Sequence, residues 1–174
     1  MQPPDPPLTD GVVTLRPPAE GDLPALEQAA RDPEIARWFG PPDPPLDQLA
    51  AWQEGWRDGS TAVFMICTAD GARTGHVLVE RRNSGRAHVE YWMLPPWRRR
   101  GLAARALRLA SRWAIEQAGF ARLELWTEPE NAASQRLAER AGYRRDGVLR
   151  SYSEVNGRRV DAVFYSLLAT DPLD

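Results

Sequence analysis

The stretch Ala87–Trp113, AHVEYWMLPPWRRRGLAARALRLASRW, restricts the fold more than any other part of the chain. Val89, Tyr91 and Met93 alternate with His88, Glu90 and Trp92, in a run rich in the aromatic and branched types that suit a pleated strand. Pro95-Pro96 ends that strand, because proline has no backbone N–H and restricts the residue before it. The basic loop Arg98-Arg99-Arg100-Gly101 follows, and a long helix opens directly after it. Leu102, Ala106, Leu109 and Trp113 recur at helical spacing, with Arg105, Arg108 and Arg112 on another face. A strand that breaks into a basic, glycine-bearing loop and then a helix is an anion-binding geometry. The free N–H groups of the first helical turn and the positive end of its dipole converge on one point. Arginines there add forked donors suited to phosphate.

The same residues resemble a known signature. Arg98-x-x-Gly101-x-Ala103 is similar to the (Gln/Arg)-x-x-Gly-x-(Gly/Ala) pattern of the GNAT acetyltransferases, whose loop amides cradle the pyrophosphate of acetyl-CoA. Tyr91-Trp92-Met93-Leu94-Pro95 and Asn131-x-x-Ser134 resemble the RimJ/RimL branch, which acetylates protein N-termini. The likeness covers nearly the whole chain and is strongest from Arg86 to Tyr143.

Composition narrows the classes further. With 174 residues the chain fits a single domain able to bury a core, and its 43% hydrophobic and 26% charged residues are ordinary for a globular protein. A net charge of −2 argues against general nucleic-acid binding, so the loop arginines are a local feature. Cys67 is the only cysteine; it lies in the apolar run Ala62–Cys67 and reads as a buried structural thiol. Two separated histidines and one cysteine give no ligand-spaced cluster, so no metal is expected. No apolar run approaches membrane-spanning length and the first residues lack signal-peptide character, which makes the cytoplasm the expected location.

Read in order, residues 1–10 are proline-rich and expected to be extended, and 11–170 are expected to form one domain. Val12–Arg16 reads as a strand, Asp22 as the cap of a helix Leu23–Arg31, and Glu34–Phe39 as a further short turn of helix. Asp43-Pro44 opens a helix to about Arg57 whose apolar line is Leu49, Trp52 and Trp56. These tryptophans read as core; the resemblance adds that this helix pair walls the acceptor groove. Strands follow at Ala62–Thr68, Gly75–Arg82 and Arg86–Leu94, then the helix Leu102–Ala118, a strand Arg122–Thr127 and a helix Asn131–Ala141. Asn156-Gly157 joins strands Val148–Val155 and Arg158–Leu168 as a hairpin. The helical crossover should make strands Arg86–Leu94 and Arg122–Thr127 parallel. This is an α/β order, that of the GNAT (acyl-CoA N-acyltransferase) fold: a mixed twisted sheet of about seven strands with helices on both faces.

The resemblance implies the site. The pantetheine arm of acetyl-CoA would pair with the backbone of Met93 and Leu94, and its pyrophosphate would rest on the amides of Arg98, Arg99, Arg100, Gly101, Leu102 and Ala103. Many relatives carry glycine at the position of Arg99, so Arg99 must accept strain or a different loop shape. Asn131 reads as a helix N-cap, and the resemblance assigns it a cofactor contact as well. The tyrosine acid of many relatives corresponds here to Ala138, which leaves Ser134 as a weaker hydroxyl donor to the departing thiolate. Tyr143 reads as packing. Glu90, with His88 on the same strand face, is the first choice for taking the proton from an acceptor ammonium, and the Met93 N–H for the acyl oxygen.

Acetyl transfer to a protein or peptide N-terminal amine is therefore the expected activity. Transfer to a small amine (polyamine, amino acid or antibiotic) is the alternative, with Glu20, Glu34 and Glu54 as contributors to an acidic groove. A catalytically idle CoA-binding module is a third reading. No nucleotide-binding glycine motif is present. A homodimer through a tryptophan patch or the terminal hairpin is a further expectation.

Overall fold

The computed structural model describes residues 1–173. Eight strands form one sheet: β1 (Leu8–Thr9), β2 (Val13–Arg16), β3 (Thr61–Thr68), β4 (Arg73–Arg81), β5 (Arg86–Met93), β6 (Arg122–Thr127), β7 (Arg144–Val155) and β8 (Arg158–Leu168). Their spatial order is β1-β2-β3-β4-β5-β6-β8-β7. Every neighbouring pair is antiparallel except β5–β6, which the helical crossover makes parallel. The helices are α1 (Leu23–Ala30), α2 (Pro33–Phe39), α3 (Pro45–Asp58), α4 (Leu102–Glu116) and α5 (Ala132–Arg140).

Strand alternation divides the core. On one face Phe64, Val77, Val89, Leu123 and Tyr165 pack under Leu102, Ala106, Leu107 and Trp113 of α4 and Ala138 of α5. On the other, Val63, Met65, Trp92 and Leu94 pack under Leu26 of α1, Ile35 of α2 and Leu49 and Trp52 of α3. Trp56 crosses to the first cluster, and its indole N–H donates to the Val63 carbonyl at 2.9 Å. The tryptophan line of α3 is thus core packing. Cys67 is buried, and that burial pushes its thiol up, as expected of a structural cysteine.

Several boundaries differ from the sequence reading for identifiable reasons. The proline-rich start is not merely extended: Leu8 and Thr9 pair with Leu15 and Thr14, and Asp10 holds Arg105 of α4 at 2.8 Å. That extra strand, absent from the sequence reading, brings the sheet to eight. Asp22 makes no cap for α1. Its buried carboxylate instead accepts both terminal nitrogens of Arg16 (2.6 and 2.8 Å), Nε of Arg73 (3.1 Å) and the Ala19 N–H (2.9 Å). Asp32 is the cap that forms, accepting from the N–H groups of Glu34 and Ile35 and so starting α2. β7 begins at Arg144, ahead of the expected Val148, because two register shifts let the strand run on past its irregularities. The hairpin turn is as read: Asn156 (φ 52°) and Gly157 (φ 71°) both take left-handed conformations, the pattern of a tight hairpin turn.

Candidate active site

The loop between β5 and α4 carries unspent hydrogen-bond donors. From Arg99 to Ala104, no backbone N–H has an acceptor among the described residues; helical bonding starts with the Arg105 N–H, 3.3 Å from the Gly101 carbonyl. Gly101 (φ 77°) turns these amides toward the start of α4, and Arg99 (φ 60°) takes a left-handed conformation too. A side chain in that region costs roughly 1–2 kcal/mol, so Arg99 holds, under strain, a conformation that glycine would adopt freely. The donors suit a diphosphate.

Arg98 does something the sequence did not suggest. Its side chain turns inward: Nε donates to the Met93 carbonyl at 2.9 Å, one terminal nitrogen meets Glu34 at 2.6 Å and the other meets Asp32 at 3.0 Å. Its N–H also points to the Pro95 carbonyl at 3.3 Å. Arg98 is therefore a clamp joining the loop to β5 and to the start of α2, with each of its three nitrogens held by a protein acceptor. Arg100 lies over the Trp97 ring at 5.0 Å, and Arg99 is exposed.

The second element is a gap in the sheet. β5 and β6 pair only at Arg86–His88 against Arg122–Glu124, and then part, while β5 stays paired to β4 as far as Met93. The Leu94 N–H donates to the Thr74 carbonyl at 2.8 Å. Antiparallel bonding alternates, so residues Tyr91 and Met93 direct their backbone groups away from β4 and into the gap. This corrects one expectation: the Leu94 amide is committed to β4 and offers nothing to a ligand arm, whereas Tyr91, not singled out by its backbone in the sequence, does. Gly75 permits the close crossing, since a Cβ there would strike the Trp92 carbonyl.

Across the gap stands α5. Asn131 caps it, its Oδ1 accepting the Ser134 N–H at 3.1 Å. Ser134 Oγ lies 2.7 Å from the Tyr91 hydroxyl. Burial pushes the Tyr91 phenol up to about 12 against the opposing effect of this bond, so it stays protonated and can donate. Ala138 is fully buried on the inner face of α5, and Tyr143 is buried with its hydroxyl 2.8 Å from Ser111 Oγ, a packing role. Sequence reasoning missed the hydroxyl pair; Tyr91 had been read as a strand aromatic.

On the opposite face, His88 Nε2 and Glu90 Oε1 are 3.2 Å apart. Burial alone raises the Glu90 carboxyl, but the bond and charge of His88, with His76 and Arg82 further off, hold it below the usual carboxylate range. Such a carboxylate is a weak base near neutrality. Glu34 and Glu54 are engaged elsewhere, by Arg98 and by Arg57 at 2.8 Å, and Glu20 lies in the short turn before α1. A cavity of about 390 Å³ between α1 and the start of α3 shares no residue with the loop or the gap.

An eight-stranded mixed sheet, opened beside a donor-rich loop at a helix start, defines an α/β acyltransferase fold. The acetyltransferase (GNAT) domain matches residues 13–144, and the chain belongs to that family of N-acetyltransferases. It is 25% identical over 165 residues to an uncharacterised N-acetyltransferase, p20 of Bacillus licheniformis, covering 90% of this chain and 92% of the relative. Among solved structures, RimJ of Mycobacterium smegmatis in complex with CoA-disulfide superposes with a TM-score of 0.84 at 24% identity, over 97% of this chain and 90% of that one. Spermidine N-acetyltransferase of Vibrio cholerae with CoA and spermine gives 0.83 at 19% identity, over 95% and 100%.

Proposed function

We propose that the chain transfers the acetyl group of acetyl-CoA to the N-terminal α-amine of a protein or peptide by direct attack. The observation that carries the cosubstrate reading is the opened edge at Tyr91 and Met93 lying next to the free amides Arg99–Ala104. Peptide-like donors and acceptors on one side and a diphosphate cradle on the other fit the two halves of coenzyme A. The fold likeness to RimJ and the accessible face around Glu90 support a peptide acceptor. The likeness to a spermidine acetyltransferase supports the small-amine alternative.

Acetyl-CoA supplies an activated acyl carbon. The amides of Arg99, Arg100, Gly101, Leu102 and Ala103 hold the diphosphate, with Arg98 fixing the loop rather than touching it. The backbone of Tyr91 pairs with the pantetheine amides, while the Met93 N–H, its carbonyl being held by Arg98, serves the acyl oxygen as negative charge develops there. Glu90 holds the acceptor ammonium, and His88 beside it takes the proton that must leave before the nitrogen can attack. As the C–N bond forms and the C–S bond breaks, Ser134 donates to the sulfur, oriented by Tyr91. Asn131 keeps Ser134 at the helix start.

A thiol-release assay with acetyl-CoA, a panel of peptides varied at the first residue, and spermidine tests this. Turnover of a peptide well above spermidine is the expected result. Preference for spermidine would move the acceptor to the small amines. Failure of acetyl-CoA to raise the melting temperature would remove the cosubstrate reading itself.

A further inference from the structure

Glu128 is the first residue after β6, at the mouth of the gap, and the strand alternation puts Glu124 and Trp126 before it on the face that carries Glu90. Its side chain is 3% exposed. One carboxylate oxygen meets a terminal nitrogen of Arg158 at 2.6 Å, while the other, Oε1, has no partner among the described residues. A buried carboxylate with an orphaned oxygen is costly, and a donor brought in from outside the fold would relieve that cost. Its present partner is easily given up, since the Arg158 side chain is 61% exposed.

Arg158 sits beside the tip of the β7–β8 hairpin. Two residues earlier, Asn156 Nδ2 donates to the Ala36 and Arg37 carbonyls of α2 at 3.1 Å each, in an exposed setting. The tip thus spans from β6 to α2, with one ion pair and two exposed hydrogen bonds ahead of the buried Val155 and Val160. Lifting it releases Glu128.

We propose that Glu128 is a docking carboxylate for a cationic group on the acceptor, and that Arg158 holds its place until the acceptor arrives. This rests on the acyltransferase reading above and adds a specificity residue to it. The acceptor cation takes both the charge of Arg158 and the idle lone pairs of Oε1. Acceptors carrying a second positive charge besides the reacting amine, whether a peptide with a basic residue near its start or a polyamine, are the class it selects.

Isothermal titration of CoA-saturated protein with spermidine, Ala-Lys-Ala-Ala and Ala-Ala-Ala-Ala separates the possibilities. At least one of the two cationic probes should bind more tightly than Ala-Ala-Ala-Ala, and which one does identifies the source of the cation. Glu128→Gln should weaken that probe about tenfold and leave the neutral-sequence peptide unchanged. Arg158→Gln should tighten it several-fold, because it removes the competitor. A plain structural ion pair would move both variants the same way, and that outcome, an unchanged affinity in Glu128→Gln, or no binding of either cationic probe would overturn the proposal. CoA affinity, measured on the same samples, should stay constant across variants. Loss of CoA binding in the wild type would strike the acyltransferase reading instead.

Discussion

His76 shows how much one side chain can hold without a single hydrogen bond of its own. Both ring nitrogens are buried and unpartnered, and the imidazole lies between Trp52 at 4.8 Å and Trp92 at 4.6 Å. Burial drives its pKa from 6.5 down to about 4, with Glu90 pulling weakly the other way. The folded state therefore binds fewer protons than the unfolded chain between those two values. Stability is complete above pH 6.5 and falls as the pH drops toward 4. At pH 5 the loss from this one group is about 2 kcal/mol. His76→Phe should keep the aromatic packing, change stability little at pH 7, and recover most of that loss at pH 5. Urea denaturation at the two pH values measures it; an equal effect at both would mean that His76 is not the titrating group.

At the scale of elements, α2 is the least self-sufficient piece. It is seven residues long, capped by Asp32, and tied at its start to Arg98. The fork geometry of the guanidinium lets Arg98 reach Asp32, Glu34 and the Met93 carbonyl together, which a lysine cannot do. Arg98→Lys should cost about 1–2 kcal/mol of stability and raise the acetyl-CoA KM more than it lowers kcat, because the loop loses its tether and not a reacting group. Equal falls in kcat and kcat/KM would instead place Arg98 among the reacting groups. The element order was legible beforehand, since helical spacing in Leu102–Trp113 and strand alternation in Val89–Met93 are local patterns. The Asn156-Gly157 turn was equally plain. What Arg98 does was not legible, because Asp32 and Glu34 lie far off in sequence and only the fold brings them to it. Asp22 failed as a cap because its oxygens are spent on Arg16, the Ala19 N–H and the distant Arg73, and nothing in a capping pattern announces those partners.

For the molecule as a whole, the sheet consists of two antiparallel blocks, β1–β5 and β6–β8, joined by parallel pairing of only three residues on each strand. The presence of a parallel crossing could be read from a strand-helix-strand order. Its shortness could not, because nothing in the composition of Val89–Met93 distinguishes a paired edge from an open one. This short seam has a consequence for solvent exchange. Amides at the middle of a sheet ordinarily exchange slowest, through global opening. Tyr91 and Met93 stand at the sheet's centre, yet their N–H groups face a strand that has moved away. In the free protein they should exchange with deuterium far faster than Trp92 and Leu94 beside them, whose amides are held by β4. Saturation with acetyl-CoA should slow the fast pair and leave the slow pair as it was. An odd-even pattern of protection along a single strand, erased by one ligand, would be the signature of a missing neighbour that the cosubstrate replaces.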